Sequence, residues 1–321
     1  MEMPLSEAGL SIVVPCFNEE ASINILYDEI KKMFAQNEAK LSAHIKREYE
    51  IIFIDDGSWD NTLDILRKIA AEDKRCRFIS FSRNFGKEAA LLAGFQAANG
   101  EYIVSMDADG QDPPSLIPDM LESVVSGGYD CAGCRRVNRS GEPLIRSFFA
   151  RRFYKLMKKM TDVEIVDGAR DFRLINRKYL KALLALPERN RFSKGIFPWV
   201  GFKTKWFEYK NIERSKGKTK WSFWKLFIYS LDGIIAFSSK PLAIASFLGV
   251  MLFIISIAFI IFIIVRRLVW GDPVSGWAST ICIILFCSGV QLFTAGILGQ
   301  YLAKIYTETK QRPHYIIKEE S

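Results

Sequence analysis

Two stretches toward the C-terminus carry no charged residue, Leu242 to Val265 and Pro273 to Ala303. An α-helix needs roughly 20 apolar residues to cross the hydrocarbon core of a bilayer, and each stretch exceeds that length. Helices buried in a globular core rarely run so far without a charge. Two membrane-spanning helices are therefore expected behind a large N-terminal part. The opening residues MEMPLSEAGL lack a basic run before an apolar one, so they read neither as a secretory signal nor as a transit peptide. Lys225, Lys240, Lys304, Lys310, Arg312 and Lys318 flank the pair of spans and outnumber Arg266 and Arg267 between them. That bias places both ends in the cytoplasm and the protein in the plasma membrane as a multi-pass chain. The expected division is a catalytic-sized domain over 1–220, an amphipathic interfacial helix over 221–240, a two-helix anchor over 241–303 and a cytoplasmic tail over 304–321.

The 321 residues carry 44 basic against 36 acidic side chains, a net charge of +8. Such a balance suits nucleic acid, an anionic membrane surface or phosphorylated substrates. The spans favour the last two, so membrane lipids are expected partners and nucleic acid is not. The six cysteines include one Cys131-x-x-Cys134 pair, and neither His44 nor His314 is placed to complete a zinc site, so the cysteines read as reduced thiols.

Short β-branched runs begin near Leu10, Tyr49, Arg77, Glu101 and Tyr129, separated by helical patterns over Glu20 to Gln36, Thr62 to Ala71, Lys87 to Ala98 and Ser115 to Ser126. Strands apolar on both faces and alternating with helices indicate an α/β domain built on a mostly parallel sheet. Ligands of such sheets bind beyond the carboxyl ends of the strands. Polar residues gather there: Pro15 to Glu19, Asp55 to Ser58, Arg83 to Lys87, and Asp107 to Gln111.

Neither a dinucleotide glycine fingerprint nor a P-loop is present, since Gly217-Lys218-Thr219 has Ile212 where the first glycine would stand. Asp107-Ala108-Asp109 closes the fourth strand. Two carboxylates one residue apart can share a hard cation that also holds substrate phosphates. A lone Asp-x-Asp is common, but this one lies at the ligand edge beside Asp55-Asp56. Basic residues crowd Arg135 to Lys159, and a second run, ERSKGKTKW, precedes WSFWKLFIYSLDGIIAF, whose apolar spacing describes an aromatic-rich interfacial helix.

SIVVPCFNEE, IDDGS, FSRNFGKEAALLAGFQAANGEYIVSMDADGQDPP and DFRLINR together resemble the family 2 glycosyltransferases of GT-A fold, and within them the polyprenyl-phosphate glycosyltransferases, a group that includes bactoprenol glucosyltransferases and dolichyl-phosphate mannose synthase. The motifs cover about Ser11 to Trp221, and the two spans match the bactoprenol group. The resemblance implies a UDP-sugar donor, cradled by Pro15, Phe17, Asn18, Glu19, Asp55 and Asp56, with Arg83, Asn84 and Lys87 bordering the pocket. Asp107, Ala108, Asp109 and Gln111 would meet the diphosphate, and Asp107, Asp109 and Gln111 would hold Mg²⁺ or Mn²⁺. Asp109 and Asp171 are the implied catalytic residues. Asp171 stands at the position of a proposed base, although a lipid phosphate is already anionic, so it could instead orient sugar or acceptor. Arg135, Arg214, Lys216, Lys218 and Lys220 match an acceptor-phosphate or diphosphate clamp.

The implied reaction is an inverting transfer of a sugar, glucose first among candidates, to polyprenyl (undecaprenyl) phosphate, giving a β-linked polyprenyl-phosphate sugar for cell-envelope glycosylation. A homo-oligomer and a flippase are further candidate partners. Two alternatives stay open: a processive polysaccharide synthase, whose Gln-x-x-Arg-Trp motif this chain lacks, and a catalytically silent nucleotide-sugar-binding membrane protein, against which the retained aspartates speak.

Overall fold

The computed structural model describes residues 9–45, 48–136, 166, 168–209, 234–270 and 276–321. Eight strands form one sheet: β1 (Leu10–Cys16), β2 (Tyr49–Asp55), β3 (Cys76–Phe81), β4 (Tyr102–Ser105), β5 (Cys131–Arg136), β6 (Ala169–Asn176), β7 (Thr204–Tyr209) and β8 (Ile317–Glu320), in the order β7-β5-β6-β4-β1-β2-β3-β8. The β1–β2, β1–β4, β2–β3 and β5–β7 pairs are parallel. The β4–β6, β5–β6 and β3–β8 pairs are antiparallel. The five strands expected from sequence are all present, and the sheet is the mixed, largely parallel one of a GT-A domain.

Alternate residues of the strands feed two cores. Ile12, Val14, Phe53 and Phe172 pack beneath α1 (Ile23–Gln36), α3 (Thr62–Glu72) and α5 (Ile117–Val125); α2 (Glu38–Ser42) adds Leu41 to that side. Val13, Ile52, Ile54 and Ile175 pack against α4 (Lys87–Ala97), α6 (Arg177–Leu184) and α7 (Ser193–Trp199). This period-two division is why the strands read as continuous apolar runs. It also separates Cys131 from Cys134, which lie in opposite cores. Helix α4 crosses β1 so closely that a Cβ at Gly94 would stand 2.2 Å from the Val13 side chain. The sheet turns over between β1 and β4, so the ligand crevice of an open α/β sheet falls at their C-terminal ends.

Two long helices follow, α8 (Lys240–Trp270) and α9 (Trp277–Thr309). Their apolar segments, Lys240–Arg266 and Ile283–Thr309, have mean hydropathies of 3.2 and 1.6, and both are long and apolar enough to cross a membrane. Phe253, Ile261, Phe286 and Leu292 on them are exposed. The interfacial segment expected over 221–240 lies outside the described residues up to position 233; Ile234 to Phe237 form a helical turn that leads into α8.

Residues 304–321, expected as a tail, are built into the fold. Helix α9 continues to Thr309, and β8 then adds an antiparallel strand to the exposed edge of β3. Tyr315 stacks on Phe81 at 4.8 Å, and Glu319 pairs with Arg67. An open β3 edge would leave unpaired backbone groups, and β8 satisfies them. Deleting residues 311–321 should lower the thermal midpoint of the purified protein by about 5 °C, as expected for a few lost ladder bonds and one half-buried aromatic contact; an unchanged midpoint would show that β8 is dispensable.

Candidate active site

The loops after β1 and β2 are tied to each other. Asn18, at φ +55°, donates its N–H to Ser58 Oγ at 2.9 Å and accepts the Trp59 N–H at 3.0 Å. The Glu19 N–H reaches Thr62 Oγ1 at 2.9 Å. Asp55 is buried and accepts from the Ser58 N–H and from Ser80 Oγ. Asp56 accepts the Phe85 N–H at 2.7 Å and the Gly86 N–H at 2.9 Å, which fixes the Arg83–Asn84 loop against Gly57. A Cβ at Gly57 would lie 2.4 Å from the Arg83 carbonyl carbon, so only glycine permits this approach. The two aspartates thus set the shape of the rim through their carboxylates. Phe17 meets the exposed Trp59 edge-on at 5.0 Å on the same rim. Pro15 lies inside β1 just below it, paired with Ile54.

The centre lies at the end of β4. Lys87, the first residue of α4, places its ammonium 2.6 Å from Asp107 Oδ1 and 2.6 Å from Asp171 Oδ2. Strand β6 enters the sheet beside β4, and Ser105 Oγ donates to the Asp171 carbonyl at 2.6 Å, so residues far apart in sequence share one ammonium. Arg170 approaches Asp107 at 3.7 Å from the other side. Asp109 accepts the Gln111 N–H at 3.1 Å, while Ala108 between the aspartates is buried. Gln111 Oε1 accepts from Arg136 at 2.7 Å.

Behind the aspartates sits Asp112, almost wholly buried, which accepts from the Asp107 N–H at 3.0 Å and from Tyr209 Oη at 2.9 Å. It orients the backbone that presents Asp107. Burial, reinforced by the Asp107 charge, raises its pKa. Burial opposes ionisation of Asp171 as well, yet the charges of Lys87, Lys194 and Arg173 override it and hold this carboxyl well below the usual range. Asp171 is therefore a fixed anion at neutral pH. Replacing Lys87 by methionine leaves two poorly hydrated carboxylates facing each other. Because the Lys87 side chain keeps 43% of its exposure, solvent screens the pair, and the loss of stability in denaturant titration should be about 1–2 kcal/mol.

Burial also lifts Asp56, from 3.8 to about 6. A carboxyl whose folded pKa exceeds its unfolded one binds its proton more tightly when folded, so stability falls as pH rises from about 4 to about 6. Asp112 and the half-buried Glu88 shift in the same sense. His314, lowered chiefly by its burial, opposes them. Asp73, held at about 2 by Arg75, loses its contribution only below the ordinary carboxylate range. The thermal midpoint should thus be higher at about pH 5 than at about pH 7; the reverse order would contradict this assignment of buried acids.

The structure gathers Asn18, Glu19, Asp55, Asp56, Lys87, Asp107, Asp109, Gln111 and Asp171 at the strand ends. Arg135 points elsewhere: its guanidinium pairs with Glu208 across β5 and β7. Consecutive residues of a strand face opposite ways, and Arg136 is the one that turns to the aspartate loop. Its Nε is buried without a partner among the described residues. Arg214, Lys216, Lys218 and Lys220 lie outside the described residues. Sequence reasoning missed Arg136, Arg170, Asp112 and Glu88; the DGQDPP run and the alternation of β5 were the available signals.

The donor set fits a hard divalent cation. Two carboxylates and an amide oxygen stand at one strand end, and a lysine ammonium already sits on Asp107 where positive charge is wanted. Among the described residues no cluster of three His, Cys, Asp or Glu forms a closed cage. Magnesium-like ions commonly take only one or two carboxylates and complete their shell from water and substrate phosphates.

The profile of glycosyl transferase family 2 matches residues 11–184. The chain is 44% identical over 315 residues to the putative glycosyltransferase CsbB of Bacillus subtilis (strain 168), covering 98% of this chain and 93% of that one. It is 40% identical over 310 residues to an uncharacterized glycosyltransferase of Synechocystis, covering 97% and 95%. It is 41% identical over 313 residues to a bactoprenol glucosyl transferase of Shigella phage SfV, covering 97% and 98%. With a matched domain that contains the whole Asp107–Lys87–Asp171 centre, and relatives aligned through both apolar helices, the chain belongs to glycosyl transferase family 2.

Proposed function

We propose that this protein transfers a sugar, glucose first among candidates, from a UDP-sugar to the phosphate of a polyprenyl phosphate at the cytoplasmic face of a membrane. The observation that carries this reading is the Lys87 ammonium seated 2.6 Å from Asp171, with the charges of Lys194 and Arg173 acting in the same sense. A carboxyl held so far below neutrality is a poor proton acceptor, so the centre suits a nucleophile that arrives already ionised. A lipid phosphate meets that requirement, and the two apolar helices supply the surface on which it would be found. The similarity to a bactoprenol glucosyl transferase supports both sugar and acceptor.

In this reading the Asn18–Trp59 rim receives the nucleoside, with Phe17 offering an aromatic face. Asp107, Asp109 and Gln111 would hold Mg²⁺ or Mn²⁺ against the diphosphate. When bound, the ion neutralises charge that accumulates on the departing diphosphate. Arg170 and Arg136 add positive charge on the same side. Lys87 meets the incoming phosphate, and Asp171, itself an anion, orients the sugar. An oxygen of that phosphate forms the bond to the anomeric carbon as the bond to UDP breaks, and UDP keeps the electron pair. No proton has to move. Attack opposite the leaving group inverts the anomeric centre and gives a β-linked product.

Membrane topology follows the same reading. Strand β8 returns to the sheet after both apolar helices, which supports termini on one side, and the basic flanks assign that side to the cytoplasm. The test is incubation of the purified full chain with radiolabelled UDP-sugars, undecaprenyl phosphate and Mg²⁺ or Mn²⁺, followed by organic extraction. Label from UDP-glucose should enter the lipid phase and be abolished by chelator. Sugar found only in water-soluble products, or in a long polymer, would overturn the reading.

A further inference from the structure

Lys194 was not anticipated from the sequence, and it occupies a distinctive place. The residue is half-buried, its charge helps to hold the Asp171 carboxyl ionised, and among the described residues it makes no hydrogen bond or salt bridge. The backbone that carries it is clasped from two directions. On the inner side the half-buried Glu88, next to Lys87, accepts from the Ser193 N–H through both oxygens at 3.0 Å and from Ser193 Oγ. On the outer side Glu308 of α9 accepts the Arg189 and Asn190 N–H groups at 2.8 and 3.0 Å, and Lys304 donates to Asn190 Oδ1 at 3.0 Å. The segment from Arg189 to Lys194 thus joins the catalytic centre to the end of the second apolar helix.

We propose that Lys194 contacts the phosphate of the lipid acceptor and that Glu88 is its positioning residue; this rests on the function proposed above. A phosphate tethered to a lipid reaches the centre from the membrane side, where the Arg189–Lys194 segment meets α9. Lys194 follows the serine that Glu88 clasps beside Lys87, so its backbone stands at that approach. Glu88 cannot itself bind an anion, but it holds the chain so that the ammonium stays within range of the reacting oxygen. The Glu308 and Lys304 contacts keep the same segment in register with the hairpin.

The experiment uses the full chain and two readouts: binding of undecaprenyl phosphate in nanodiscs, and steady-state transfer with separate titration of donor and acceptor. Lys194→Ala should weaken acceptor binding and raise the acceptor KM by about tenfold, the value of one charge-assisted contact, with the donor KM within about twofold of wild type. Lys194→Arg should recover most of the loss. Glu88→Ala should give the same selective rise, and the double variant should be no worse than Lys194→Ala alone, because both act on one contact. Unchanged acceptor binding in Lys194→Ala, or an equal rise in donor KM, would overturn the role of Lys194; additive losses would overturn that of Glu88. Wild type that binds the lipid phosphate but transfers no sugar would refute the proposed function while leaving the Lys194 contact open to the binding comparison. Failure of wild type to bind it would refute both.

Discussion

Asp107→Asn should lower kcat/KM by roughly three orders of magnitude, the scale of losing a metal-held charge clamp on the leaving group. The substitution keeps size and the N–H to Asp112, so the fold should survive. Three things would be lost together: the proposed ligand for the cation, the counter-ion of Lys87 at 2.6 Å, and that of Arg170 at 3.7 Å. Isothermal titration with Mn²⁺ and UDP should show metal-dependent UDP binding in wild type and its loss in the variant. Asp109→Asn should behave similarly but leave the Lys87–Asp107 pair in place. Full activity of either variant would remove these aspartates from the centre.

Asp171→Asn should reduce kcat by about 10²- to 10³-fold through lost orientation and lost electrostatic support for Lys87. The shape of the pH profile separates positioning from base catalysis. A base gives an acidic limb at its own pKa, and Asp171 is ionised across the whole practical range because Lys87, Lys194 and Arg173 surround it. Wild type and variant should therefore share one profile, displaced in height. An acidic limb present in wild type and absent in Asp171→Asn would restore Asp171 as the base.

Much of this centre was legible in the sequence because it follows from chain-local rules. Strands apolar on both faces announced the sheet, and each polar loop at a strand end announced one wall of the crevice. The apolar lengths of α8 and α9 needed nothing beyond counting. What stayed hidden depends on which strands become neighbours. Nothing local reveals that β6 inserts between β4 and β5, and only that insertion carries Asp171 to Lys87.

Strand β8 was hidden for a related reason. Its short, charged IKEE reads as a solvated tail, and its partner β3 lies more than two hundred positions earlier. Arg135 was implied by the resemblance alone; which of Arg135 and Arg136 faces the aspartate loop depends on the phase of β5, and a strand near a register shift, here between Gly133 and Arg135, takes its phase from its partners. Asp55 and Asp56 were expected to face the donor; both are buried, and their carboxylates bind the loops that form the rim. Such double use of a side chain leaves no trace in composition or spacing.

The central claim is that the nucleophile arrives as an anion and needs no base. The most direct measurement is a comparison of undecaprenyl phosphate with undecaprenol as acceptors under identical donor and metal. Negligible transfer to the alcohol beside robust transfer to the phosphate is the predicted result. Comparable rates with the alcohol, whose hydroxyl must lose a proton, would contradict the account.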